Sequence, residues 1–188
     1  MQGRTRGPGT AWRRAALALA FLCLLAIPAQ AHAVSVVQRD AAEAVLVARI
    51  NDVRAAHGLR RLDVSSRLTS AATRHANSMG SVGYFRHELY TPTRSVTWTP
   101  WATWIRWYYP GPGFSSWSAG ENLAWGAPDL TPAAAVIRWL ASSGHRANLL
   151  APGWRQVGVS IVHVSDPLRY FGSWNDVTIV VAEFGRRS

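Results

Sequence analysis

The 188-residue chain contains no lysine: all 20 of its basic residues are Arg. Schiff-base chemistry and lysine acetylation are therefore excluded. Cysteine is nearly absent too. Cys23 has no partner, which rules out a zinc ribbon, a CxxC redox site and a disulfide framework. No G-x-S-x-G or H-E-x-x-H occurs, so neither the nucleophile elbow nor the short zincin signature is present. Internal repeats are missing, as are low-complexity linkers after residue 40. Acids are scarce, ten Asp and Glu in all, so the placement of each one matters. What remains is a chain with 48% apolar residues, a globular composition suited to one domain with a real core.

The first 33 residues read as an export signal. Arg4, Arg6, Arg13 and Arg14 form a basic start, Ala15 to Ile27 is an apolar run, and Ala29-x-Ala31 and Ala31-x-Ala33 offer small-residue cleavage sites. An uncleaved anchor would need roughly 20 apolar residues, more than the 13 from Ala15 to Ile27. Arg13-Arg14 hints at twin-arginine export. Residues 34–188 are then the mature domain, without cysteine and without a membrane span. A cysteine-free exported protein fits a bacterial product. Removal of the signal leaves 16 Arg against ten acids, a net charge of +6. The Arg are scattered and no RNA-binding signature appears, so nucleic acid is not the expected partner. Anionic cell-envelope polymers or lipid headgroups suit the charge better, and a solvated arginine-rich surface needs no partner at all.

Leu46, Ile50, Val53 and His57 recur at helical spacing before Gly58. Leu68, Ala71, Ala72, His75 and Met79 share a second helical face ending near Gly80. Thr131-Pro132 reads as the cap and first residue of a third helix, with Val136, Trp139 and Leu140 inward, closing before Gly144. Two β-branched runs, Val157 to Val164 and Val177 to Phe184, follow and predict an antiparallel pair joined by a long loop. Helices precede strands, so the class is α+β.

Between the second and third helices lies a Trp-rich segment at about residues 90–118. Trp98, Trp101, Trp104 and Trp107 recur every third residue, and Thr99-Pro100 is placed to cap a short helix. Its flat amphipathic rings suit sugar rings, lipid chains or a membrane interface. Trp101, Trp104 and Trp107 are thus candidates for a ligand wall; the alternative is a lid whose aromatics pack on the core.

Among the histidines, His57, His75 and His163 sit in regular apolar patterns and read as structural. His87 and His145 lie just outside predicted elements, in Tyr84-Phe85-Arg86-His87-Glu88 and Ser142-Ser143-Gly144-His145-Arg146. Glu121 stands among small and apolar residues in Ala119-Gly120-Glu121-Asn122-Leu123. An acid so placed must be hydrogen-bonded or line a cleft. Two His and one Glu can hold Zn²⁺ with a position left for water, or act as acid and base without metal. Hydrogen bonds from Glu121 to backbone at a helix start are the structural alternative.

At these residues the chain resembles the CAP superfamily, the SCP-like, pathogenesis-related type, in its short cysteine-free bacterial branch. The resemblance rests on Ala55-Ala56-His57-Gly58-Leu59, Phe85-Arg86-His87, Gly120-Glu121-Asn122-Leu123-Ala124-Trp125-Gly126, and the stretch from Trp139 through Gly144-His145-Arg146-Ala147-Asn148-Leu149-Leu150 into Val157-Gly158-Val159. It implies an α-β-α sandwich with a central antiparallel sheet and a cleft built from two His and two acids. The histidines would be His87 and His145, the metal pair, and the first acid Glu121. The second acid would fall on Ser142, which removes a carboxylate; Asn122 completes the cleft set. The resemblance also implies zinc or another divalent ion, sterol or lipid binding, and occasional proteolysis, but no general reaction.

Three functions follow as expectations. The leading one is a binding module for a small apolar or amphipathic ligand, lipid-like or glycan, with or without a divalent metal. The second is a metal-assisted hydrolase of peptide or cell-wall material, with Glu121 and His145 catalytic. The third is an envelope interaction protein with a vestigial cleft.

Overall fold

The computed structural model describes residues 33–94 and 97–188. The expected export signal lies, but for its last residue, outside them. In chain order the elements are β1 (Ser35–Gln38), α1 (Asp40–Ala56), β2 (Asp63–Val64), α2 (Ser66–Val82), β3 (Leu89–Tyr90), β4 (Trp98–Thr99), α3 (Trp101–Trp104), β5 (Trp117–Gly126), α4 (Pro132–Ala141), α5 (Ser143–Leu149), β6 (Gln156–Ser165) and β7 (Asp176–Arg187). No helix among the described residues is long and apolar enough to cross a membrane.

The main sheet runs β1-β6-β7-β5, with β2 paired parallel on β6 and the other neighbours antiparallel. Strand alternation sorts the side chains into two cores. Val157, Val159, Ile161, Val180, Ala182 and Phe184 point to α1, α4 and α5, where they meet Leu46, Ile50, Val136 and Trp139. Val162, Val164, Ile179 and Val181 point the other way, onto Ala72, Ala76 and Met79 of α2. Helices thus cover both faces of the sheet, the α-β-α sandwich that the family resemblance implied.

The helices start and stop where local chemistry directs. Ser65 accepts from the Leu68 N–H at the start of α2, and Thr131 from the Ala134 N–H at the start of α4. Left-handed Gly83 (φ 75°) ends α2 two residues beyond the expected stop, donating its N–H to the Met79 carbonyl. At Gly158 the backbone of α2 lies directly on β6: a Cβ there would stand 2.0 Å from the Thr69 nitrogen. His57 is exposed at the end of α1 and bonds only its own helix, at the Val53 carbonyl. Arg54, one turn earlier, is instead the buried residue, reaching the Leu149 and Ala151 carbonyls at 2.8 and 3.0 Å.

Candidate functional site

The site grows from one register position. β5 and β7 pair so that Glu121 lies opposite Glu183, and β6 places Gly158 next in the row. Both carboxyls point to the α2 face, because each lies two residues along its strand from a side chain of that core, Leu123 or Val181. The missing side chain at Gly158 lets α2 approach closely, and His75 on its buried face reaches the pair. His75 Nδ1 is 2.6 Å from Glu121 Oε2, and His87 Nδ1 is 2.6 Å from Glu121 Oε1. His75 and Glu183 are wholly buried, whereas the His87 side chain is 53% exposed. The network therefore runs from the core to the surface, and His87 is its outer end.

Two buried carboxyls side by side cannot both stay charged at ordinary cost. Burial alone would raise Glu121, but His75, His87 and Glu183 outweigh it and hold its carboxyl below the ordinary range. Burial and the Glu121 charge push Glu183 well above that range. The proton thus sits on Glu183, whose two buried oxygens have no hydrogen-bond partner among the described residues. The Trp101 indole N–H lies beside Glu183 and pulls its pKa down slightly, without the alignment of a full hydrogen bond. His87 is raised, chiefly by its bond to Glu121. His145 is lowered, first by burial and then by the nearby charge of His87.

The geometry revises several sequence expectations. Glu121 stands mid-strand, not at a helix start, and its two oxygens are taken up by two histidines. His75 is a structural core histidine as expected, yet it is also a partner in the site. The second carboxyl is Glu183; the position expected for it, Ser142, merely joins α4 to α5. Asn122 projects from the other face of β5. It is fully buried, donates to the His145 carbonyl at 3.0 Å and accepts from Asn148 at 3.0 Å. It therefore positions α5, and with it His145, which lies inside that helix and not beside it. Trp104 is a core residue: its indole N–H donates to the His87 carbonyl at 3.1 Å and its ring meets His75 edge-on at 5.0 Å. Only Trp107 of the three candidate wall residues is largely exposed, at 59%. The aromatic segment buttresses the histidines from behind. Sequence reasoning passed over Glu183, although an acid inside the apolar run Val177 to Phe184 carries the same signal that singled out Glu121.

Two groupings here bear on metal. Ligand atoms of His75, Glu121 and Glu183 lie within 4.8 Å of one another, but both Glu121 oxygens are already taken up by histidines. His87 and His145 are the pair expected from sequence. Glu121 fixes the His87 ring through Nδ1 and leaves Nε2 outward, the carboxylate–histidine arrangement common behind metal ligands. His145, its proton affinity lowered, is close by.

Comparison with known proteins agrees with this architecture. The chain is 31% identical over 123 residues to the uncharacterized protein YkwD of Bacillus subtilis, spanning 65% of this chain and 43% of that protein. An outer surface protein of Borrelia burgdorferi superposes with a TM-score of 0.64 at 21% identity, covering 82% of this chain and 98% of that one. An extracellular SCP-domain protein of Bacillus anthracis gives 0.57 at 22% identity, covering 78% of this chain and 41% of that one. The chain thus spans about two fifths of both Bacillus proteins. The pattern of the CAP family, the cysteine-rich secretory protein family, matches residues 47–183, and the chain belongs to that family.

Proposed function

We propose that this protein is an exported binding module in which His87 and His145 form a divalent-cation site at the edge of the ligand cleft. The observation that carries it is the single contact of 2.6 Å from Glu121 to His87, which holds one ring nitrogen and frees the other. A bound divalent cation would supply a Lewis-acidic anchor for an oxygen of a small amphipathic ligand. Glu121 orients His87, Asn122 holds the His145 backbone, and Trp104 braces His87 from the core. The hydrolase alternative needs Glu121 as a base for water, yet its side chain is only 2% exposed and both oxygens are engaged. Export is supported by the basic, apolar and small-residue order of residues 1–33 and by relatives named as extracellular or outer-surface proteins.

Calorimetric titration of zinc into the protein tests the site. One zinc per chain is expected, and none in folded His87→Ala/His145→Ala. A folded wild type that takes up no zinc overturns the cation site.

A further inference from the structure

A cavity lies beside Tyr84, Phe85 and Arg86, the residues that lead into His87. It has a volume of about 370 Å³, and its lining includes Tyr84, Phe85, Trp98 and Tyr170 together with Arg86 and Arg169. This falls within the roughly 300–1,000 Å³ of small-ligand sites. No acidic residue lines it, and neither Arg has an ion-pair partner among the described residues. Arg86 stands 4.3 Å over the Trp98 ring, while Tyr170 stacks on Phe85 at 6.1 Å and is 56% exposed.

The wall formed by the β6–β7 connection is held under strain. Arg169 adopts φ 49°, a conformation costly for a side chain of its size. It is kept there because the Tyr170 N–H bonds the Gly83 carbonyl at 3.2 Å, and because Gly83 admits the Leu168 backbone where a Cβ would stand 2.3 Å from its oxygen. The cavity is therefore built and not a loose surface groove.

We infer that this cavity binds an acidic saccharide, a pyranose ring bearing a carboxylate or phosphate. Ring faces suit the apolar face of a sugar, and two unpaired guanidinium groups suit a planar or tetrahedral anion. Concavity favours a discrete ring over a flat bilayer. The inference rests on the binding-module reading but shares neither histidine with the cation site, so the two fail separately.

The test is titration of trigalacturonate and of glucose 6-phosphate into the protein, with maltotriose as the neutral counterpart. At least one acidic sugar should bind and maltotriose should not. Arg86→Gln/Arg169→Gln should weaken binding at least tenfold, and Tyr170→Ala should weaken it several-fold. All these side chains are exposed, so the variants should keep the fold. His87→Ala/His145→Ala should bind the sugar as the wild type does. Three results overturn the inference: neither acidic sugar binds; Arg186→Gln, exposed and remote from the cavity, weakens binding equally; or phosphatidylglycerol vesicles bind while the sugars do not, which would make this a membrane-facing surface.

Discussion

Glu121 and Glu183 face each other across two strands, are both buried, and yet differ in charge. Their amides should therefore behave oppositely. Glu121→Gln removes the one charge that two histidines address, and breaking a buried ion pair costs about 3–5 kcal/mol. The His87 pKa should fall toward its ordinary value in that variant, because the bond to Glu121 is the main cause of its rise. Glu183→Gln replaces a carboxyl that is already neutral, and should cost less than about 1.5 kcal/mol. Urea unfolding of the two variants, with histidine titration by NMR, checks the pair. Equal losses would mean that the charge is shared and not localised on Glu121.

At the scale of elements, the site depends on how closely α2 lies on β6. Gly158 permits that approach, so Gly158→Ala should push the helix outward and destabilise the fold by about 3 kcal/mol, the upper end for overpacking. Trp104→Ala should cost about 3–5 kcal/mol as a large core truncation, and exposed Trp107→Ala no more than about 0.5 kcal/mol. Thermal unfolding of the three variants tests this order, which separates a buttress from a ligand wall. Much of this level was legible beforehand. The burial of Leu68, Ala71, Ala72, His75 and Met79 followed from helical spacing, and the β6–β7 pair from two β-branched runs. β5 was not legible, because Gly120-Glu121-Asn122 breaks alternation: one side chain serves the α2 face and the next clamps α5. The same break hid which way Asn122 points. Glu183 was hidden for the opposite reason, since its apolar neighbours make the strand obvious and draw attention from the acid.

For the whole molecule, the raised groups of the network make stability fall as the pH rises above the carboxylate range, whereas Glu121 makes it fall in acid. Glu121, lowered in the folded state, contributes stability above the unfolded carboxylate value and loses it as the pH falls through its own lower one. Glu183 does the reverse. The unfolded chain releases that proton near the ordinary value of 4.5 while the folded chain keeps it, so stability declines as the pH climbs above that value. His87 adds to the decline: its raised pKa stabilises the fold below the ordinary value of 6.5, and that gain is lost as the pH rises through the raised one. Half-buried Glu43, also raised by burial, pulls in the same direction as Glu183. The protein should accordingly be more stable at about pH 5.5 than at about pH 8, read as a higher urea midpoint with an unchanged slope. Glu183→Gln should shrink that difference, leaving the part owed to His87 and Glu43 less the opposing contribution of His145, whose lowered pKa favours the fold as the pH rises. A difference of the same size in the variant would place the proton elsewhere in the network, and with it the charge that orients the His87 ring.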